Sequence, residues 1–185
     1  MLQRTTTLLA MFLATAAVHA QEKEEEGEKS NGVRLGYHMS DLVGEEDFDT
    51  RNGYYLGYYR NFIKVPIFSL SAGLEVNSAG ATQDDSELRL TYVALPINGR
   101  IKLGPFYGDL GVDLALNVGE KWVVDGDEVD IPDGQEAESF DALGHVGVGF
   151  KFLFMGIEAR YRYAITEAYD GYKNTGLQLG LVGFF

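Results

Sequence analysis

Apolar residues alternate with polar or small residues in eight separate runs between Gly32 and Phe185. Strict alternation is typical of a β-strand that has one face in an apolar environment and the other in a polar one. Each run is close to the roughly 9–11 residues that a tilted membrane-spanning strand needs. The apolar faces of the runs begin at Val33, Tyr54, Phe68, Val93, Phe106, Ala142, Ile157 and Leu177. The pattern therefore predicts an all-β chain of eight strands.

The connections between these runs alternate in length. Short connections are predicted at 62–67, 103–105 and 153–156, and long ones at 40–52, 77–87, 119–139 and 166–174. Bacterial outer-membrane barrels have an even number of strands, short periplasmic turns and longer external loops. The sequence thus predicts an eight-stranded antiparallel up-and-down transmembrane β-barrel over residues 32–185, with both ends of the barrel on the periplasmic side.

The face opposite the apolar one carries charges of both signs, six basic and five acidic residues. The lumen of an eight-stranded barrel is just wide enough for side chains to fill. If this face points inward, the charges nearly cancel, and we predict a paired network that leaves no open diffusion pore. The charged positions are Arg34, Arg100, Lys102, Lys151, Arg160, Arg162, Glu75, Asp109, Asp113, Asp141 and Glu158, and His145 is expected to join them.

A soluble periplasmic carrier is the alternative architecture. A lipocalin-like barrel would turn the apolar face inward around a small apolar ligand and expose the charged face to water. Aromatic residues near the ends of the predicted strands favour the membrane barrel, because such barrels carry aromatic girdles at both interfaces. These residues are Tyr54, Tyr58, Tyr161, Tyr163, Phe106, Phe150, Phe152 and Phe185.

The N-terminal segment, residues 1–20, has the features of a cleaved signal peptide. Arg4 supplies a positive charge, residues 8–18 are apolar, and cleavage after Ala20 would leave Gln21 as the first residue. The apolar run is shorter than the roughly 20 residues of a transmembrane helix. Residues 21–31 are polar and acid-rich, which predicts a disordered periplasmic lead-in.

The net charge of −13 argues against a nucleic-acid partner, which would require a basic face. The chain has no cysteine, so it has neither a disulfide framework nor a thiolate metal site, and no cofactor is expected. Asp125-Gly126-Asp127-Glu128 in an acidic loop is an incomplete Ca²⁺ loop, and we interpret it as loose divalent bridging to lipopolysaccharide. We expect a monomer whose partners are outer-membrane lipid and lipopolysaccharide.

One pair of residues permits a catalytic interpretation. His38 and Ser40 lie two positions apart on one strand face, and Asp41 or Glu45 could orient the histidine, as an outer-membrane lipid hydrolase would require. A single His-x-Ser pair is a weak signal, and a polar rim beside a loop is the simpler interpretation. We therefore predict a non-enzymatic protein.

Four short motifs resemble the PorT-type outer-membrane β-barrel family of Gram-negative bacteria. They are the runs 92–96, 106–111, 157–161 and 177–185. The resemblance covers about residues 32–185 and implies an eight-stranded barrel whose relatives mostly have no assigned function, although a few relate to secretion assembly. It also implies that Phe185, together with Leu181 and Leu179, is the signal that barrel-assembly machinery reads. Gly183 departs from the family pattern, which usually has an aromatic residue there.

Overall fold

The computed structural model describes residues 30–44, 49–83, 86–124, 127–129, 137–168 and 171–185. They form nine antiparallel strands: β1 Asn31–Val43, β2 Asp49–Val65, β3 Phe68–Gln83, β4 Ser86–Leu103, β5 Phe106–Val124, β6 Asp127–Val129, β7 Phe140–Phe152, β8 Met155–Ala164 and β9 Lys173–Phe184. Within these residues no helix is long and apolar enough to cross a membrane. The predicted signal peptide and the acidic segment up to residue 29 lie outside the described residues.

Eight of the strands close into a barrel, as predicted. Each pairs with its sequence neighbour, except that β5 pairs with β7, and β1 pairs with β9 to close the ring. The Asn31 N–H donates to the Phe185 carbonyl at 3.0 Å, and the Phe185 N–H donates to the Asn31 carbonyl at 2.9 Å. The short strand β6 lies outside the ring and pairs only with the end of β5. Closure leaves no free edge in the membrane-spanning part of the sheet.

The apolar face of the barrel points outward and the charged face points inward. Leu179 and Leu181 on β9 and Phe185 directly after it are 43 %, 45 % and 52 % exposed. Arg34 and Arg160 on the inner face are each 1 % exposed. A soluble carrier would require the reverse arrangement, so the lipocalin-like alternative is wrong.

The three short turns lie at Pro66–Ile67, Gly104–Pro105 and Leu153–Phe154, where the sequence predicts short connections. Gly104 and Leu153 have positive φ angles of 63° and 56°, which the tight reversals require. By the usual asymmetry of outer-membrane barrels these turns face the periplasm. Ser30, the first described residue, and Phe185 lie at the same end of the barrel.

The external ends of the strands are longer than predicted. The sequence predicts a loop at 77–87, but β3 continues to Gln83 and β4 begins at Ser86. In the same way β1 and β2 occupy most of 40–52, and the predicted loop 119–139 contains the end of β5 and all of β6. These segments pair residue by residue with their neighbours, so backbone hydrogen bonding extends the strands above the apolar belt.

Candidate functional site

The inward-facing side chains form three layers along the barrel axis. An apolar cluster of Tyr59, Tyr107, Val182 and Phe184 fills the periplasmic end. Charged and amide side chains fill the centre. A second apolar cluster fills the external end. Sequence reasoning anticipated only a polar lumen, so the two apolar clusters are additions from the structure.

The central layer is organised around Glu158 and Arg160, which are neighbours on the inner face of β8. Arg160 Nη2 lies 3.3 Å from Glu158 Oε1, and Arg160 Nη1 lies 3.6 Å from Glu75 Oε2 on β3. Gln178 Nε2 donates to Glu75 Oε1 at 2.9 Å. Gln178 also belongs to this network. A list of the charged residues in the sequence does not identify it, because its side chain is neutral.

Two further arginines extend the central layer towards the periplasm. Arg100 donates two hydrogen bonds to the Asp109 carboxylate, from Nε to Oδ1 at 2.7 Å and from Nη2 to Oδ2 at 3.0 Å. Its Nη2 also lies 3.8 Å from Glu158 Oε2. Its guanidinium carbon also lies 3.9 Å from the centroid of the Tyr107 ring. Arg34 lies 4.0 Å from Glu158. Paired contacts with planar carboxylates and rings suit the guanidinium group better than an ammonium group.

Asp113 and Arg162 form the external part of the central layer. Arg162 Nε donates to Asp113 Oδ2 at 2.9 Å, and His145 Nδ1 lies 3.1 Å from Asp113 Oδ1. Asp141 belongs to a different set of contacts, because its carboxylate accepts the Thr166 hydroxyl at 2.8 Å. Lys102 and Lys151, the remaining predicted members, are half-buried at the periplasmic end of the lumen.

The central layer matches its charges closely. Four arginines, Arg34, Arg100, Arg160 and Arg162, lie against four carboxylates, Glu75, Asp109, Asp113 and Glu158. Burying a single charge is costly unless a partner compensates it, so matching is what allows these groups to occupy the interior. Of the twelve predicted lumen positions, the ten other than Lys102 and Lys151 all lie inside the barrel, and nine of these ten are buried, whereas Arg100 is half-buried.

The external cluster covers the outer end of the lumen. Leu90 and Leu143 are buried within it, and Trp122 and Tyr172 pack against it. The Glu138 N–H donates to the Ala168 carbonyl at 2.9 Å, and the Ala137 N–H donates to the Glu120 carboxylate at 3.0 Å. The buried members are Leu42, Ala79, Ala81, Leu88, Leu90, Tyr92, Ala94, Ala115, Ala137, Leu143, Ala164 and Ala168. Alternation of Leu88 and Leu90 with charged residues was the available sequence signal.

Ion pairs hold the external hairpins together. Arg51 Nε lies 2.6 Å from Glu87 Oε1, and Arg89 Nη2 lies 2.7 Å from Glu87 Oε2. Hydrogen bonds from Arg89 and Arg51 lower the pKa of the Glu87 carboxyl, and its partial burial opposes this. Lys121 and Glu128 pair at 2.7 Å across the β5–β6 hairpin.

The proposed catalytic pair is not assembled. The Ser40 hydroxyl donates to the Gly80 carbonyl at 2.9 Å, and His38 Nδ1 lies 3.1 Å from the Ser78 carbonyl. Both side chains are buried and each contacts a separate carbonyl of β3. Asp41 is three residues from His38 on β1, so its side chain lies on the opposite face of the strand. Glu45 lies outside the described residues.

A metal site is likewise not assembled in the part of the chain that the structure describes. There, no group of three or more His, Cys, Asp or Glu side chains is placed to hold a metal ion. Asp125 and Gly126 of the incomplete Ca²⁺ motif lie outside the described residues.

A closed barrel with an apolar outer belt and an ion-paired interior defines an integral β-barrel protein of the outer membrane. The sequence matches the model of the outer membrane protein beta-barrel domain family over residues 7–185, so the chain belongs to that family. No curated protein matches the chain.

Solved structures share this fold. Neisserial surface protein A is similar with a TM-score of 0.60 and 13 % identity, over 86 % of this chain and 100 % of that one. The attachment invasion locus protein Ail of Yersinia pestis is similar with a TM-score of 0.53 and 17 % identity, over 86 % and 100 %. Ail has also been solved in complex with the heparin analogue sucrose octasulfate, with a TM-score of 0.55, 18 % identity and the same coverage.

Proposed function

We propose that this protein is a non-enzymatic, closed barrel of the outer membrane that acts through its external hairpins, in adhesion, envelope structure or accessory assembly. The observation that carries the proposal is the filling of the lumen by three layers of buried side chains. A lumen filled in this way has no continuous polar path for solutes. The external strand ends are then the part of the protein available to partners outside the cell.

The charge of the external hairpins favours particular partners. The acidic residues predicted for the loops at 40–52 and 119–139 greatly outnumber the basic ones. Ail was solved with a sulfated ligand, but an acidic surface would repel such a group. For this chain we propose divalent cations that bridge the hairpins to lipopolysaccharide, and outer-membrane lipid around the belt.

The absence of enzymatic activity is part of the proposal. A nucleophile and its base must lie within hydrogen-bond distance of each other. Ser40 and His38 instead donate to or contact carbonyl groups of β3 and are buried away from substrate. We therefore expect vesicles that contain the Ser40→Ala variant to keep the same lipid composition as vesicles that contain the wild-type protein.

The assembly of the protein is also proposed, on the PorT-type resemblance. Residues 1–20 would be removed as a signal peptide, and the barrel would insert as a monomer. Phe185, Leu181 and Leu179 face outward and would be read by the barrel-assembly machinery. Deletion of Phe185 should reduce the folded fraction in the outer membrane, whereas Phe184→Ala, at an inward position, should reduce it much less. Equal losses would contradict this assignment.

Conductance tests the closed barrel. Purified protein reconstituted in planar bilayers should give no steady channel current. A double variant, Arg160→Ala with Glu75→Ala, removes a matched pair from the central layer and should leak more than wild type. A control variant, Leu95→Ala, changes only the lipid-facing surface. Large and steady currents from the wild-type protein would overturn the proposal.

A further inference from the structure

A single charged residue lies on the lipid-facing wall of the barrel. Arg60 on β2 is exposed and points outward, since the adjacent Tyr59 is buried and points into the lumen. At the other outward positions of the spanning strands, within the described residues, the side chains are apolar, tyrosine or glycine. The stretches compared are 33–39, 54–65, 68–76, 93–103, 106–118, 142–152, 155–163 and 177–183. A charge on the lipid face destabilises a barrel unless it reaches the interface, so the Arg60 guanidinium requires a polar partner.

The surroundings of Arg60 along β2 are apolar. Leu56 and Tyr58 precede it on the same face of the strand. Phe62 and Ile63, which follow it, are 58 % and 46 % exposed. Among the described residues the Arg60 side chain has neither a hydrogen-bond partner nor an ion-pair partner. Its partner is therefore water or a lipid headgroup.

The neighbours of Arg60 on the two adjacent strands form a shallow notch around it. Asn31 on β1 and Ala72 on β3 lie directly opposite Arg60 in the strand pairing. The Cβ atoms of such opposite residues are about 4.5–5.5 Å apart, so both side chains adjoin the guanidinium stem. Ala72 is the one small residue among the outward residues of β3, which are Phe68, Leu70, Ala72, Leu74 and Val76. The wall thus has room for a bound group beside Arg60.

Asn31 supplies a second donor on the same surface. The Tyr58 hydroxyl donates to Asn31 Oδ1 at 2.9 Å, which holds the amide on the outer face. No described residue accepts a hydrogen bond from the amide nitrogen of Asn31. The Tyr58 ring lies 6.4 Å from the Phe185 ring, and the two rings form an apolar wall beside the notch. The notch therefore combines a cation, a neutral donor and apolar sides.

We propose that this notch binds one phospholipid of the inner leaflet, with its phosphate on Arg60 and Asn31 and its acyl chains along the apolar wall. Asn31 exchanges backbone hydrogen bonds with Phe185, which places the notch at the periplasmic end, away from the lipopolysaccharide leaflet. A guanidinium group matches phosphate oxygens with two parallel hydrogen bonds, and such charge-assisted bonds are strong. The site rests on the lipid belt proposed above. It does not depend on the closed lumen, because bound lipid and channel current are measured separately.

Native mass spectrometry of the barrel in detergent, titrated with phosphatidylglycerol, tests the proposal. The wild-type protein should retain one lipid, and Arg60→Gln should weaken this binding about tenfold, the scale of a lost hydrogen bond to a charged group. Diacylglycerol with the same chains lacks the phosphate and should bind both proteins equally weakly. Lys121→Gln on the external hairpin removes the same charge elsewhere and should bind lipid as the wild type does. Equal lipid retention by the wild type and Arg60→Gln would overturn the proposal.

A second pair of variants tests the notch while Arg60 stays in place. Ala72→Leu fills the space beside the guanidinium and should lower lipid retention, whereas Ala159→Leu makes the same change at an outward position of β8 and should not. The heat-modifiable gel shift confirms that both variants are folded. Equal retention by the two variants would show that the lipid binds elsewhere. Displacement of the lipid by a large excess of inorganic phosphate would show a site for free phosphate and would contradict the lipid assignment.

Discussion

Two stretches of the same strand, β4, place their apolar residues on opposite faces. Between Val93 and Leu103 the outward positions are apolar, and Asn98 and Arg100 point inward. Between Ser86 and Thr91 the arrangement is reversed, because Leu88 and Leu90 point inward. The charged residues Glu87 and Arg89 alternate with them.

The reversal reflects a change in the medium that surrounds the barrel, from lipid to water. Where lipid surrounds the barrel, the outer face must be apolar and the interior can hold paired charges. Where water surrounds it, the interior becomes an ordinary apolar core. The reversal occurs near Thr91 and Tyr92, where the β4–β5 register also shifts. We therefore place the external membrane boundary near Thr91, and the following variants probe the two sides of it.

The largest effect is expected in the ionic layer below the boundary. Arg162→Met leaves the buried Asp113 without its arginine and should reduce the free energy of unfolding by about 3–5 kcal/mol, the usual cost of breaking a buried ion pair. Urea titration of the protein in micelles, followed by the heat-modifiable gel shift, measures the change. The double variant Asp113→Asn, Arg162→Met should lose less than the single variant. A larger loss in the double variant would show that the pair is not coupled.

The apolar core above the boundary should respond to a loss of volume. Leu90→Ala removes a fully buried side chain and should cost about 2–4 kcal/mol, in the range for buried leucine. The matched control is Leu95→Ala on the same strand, which is 45 % exposed to lipid and should change stability by less than about 1 kcal/mol. Equal effects at the two positions, by the same titration, would remove the distinction between the stretches.

A third effect separates tight packing against the periplasmic cluster from the open lipid-facing side of the same wall. A Cβ atom at Gly149 would overlap the Tyr107 ring, whereas at Gly108, on the outward face of β5, the nearest atom is 3.8 Å away. Gly149→Ala should therefore cost about 1–3 kcal/mol through overpacking, and Gly108→Ala should cost much less. Thermal unfolding followed by circular dichroism compares the two variants. A harmless Gly149→Ala would mean that Tyr107 does not fill the lumen at that point.

The smallest effect is the pH dependence of stability that Glu87 causes on the external side of the membrane boundary. Because its pKa is lowered in the folded state, Glu87 stabilises the fold above its unfolded pKa, and this contribution is lost as the pH falls through the folded pKa. Glu87 and its partner Arg89 are only partly buried, so solvent screens the pairs and the contribution should stay below about 1 kcal/mol. Glu87→Gln should flatten the pH dependence of the unfolding midpoint between pH 6 and pH 3 by that amount. An unchanged slope would mean that Arg51 and Arg89 do not stabilise Glu87.

The facing of the membrane-spanning residues could be predicted from the sequence, because a period of two specifies it directly. Alternation along the strands alone predicts that Leu181 faces outward and that Arg160 faces inward, and both side chains lie as predicted. The choice between lipid and water outside rested on charged residues such as Arg34 and Glu158, which a barrel lumen can bury only in pairs.

The partners within the lumen could not be predicted, because they depend on closure. Arg160 on β8 reaches Glu75 on β3, and the two strands are not neighbours in the sheet. The external cluster was missed for a different reason. Leu88 and Leu90 lie between the predicted loop at 77–87 and the run that begins at Val93, and they point inward where the apolar residues of that run point outward, so a single apolar phase along the strand does not identify them.

Spin-label accessibility along β4 tests the account most directly. The chain has no cysteine, so a single cysteine can be placed at each position from 86 to 103. Odd positions from 93 to 103 should be accessible to oxygen dissolved in lipid, and Glu87 and Arg89 to a water-soluble nickel complex. Even positions from 88 to 100 should be inaccessible to both reagents. Access of the nickel complex to positions 94, 98 and 100 would show an open aqueous lumen and contradict the account.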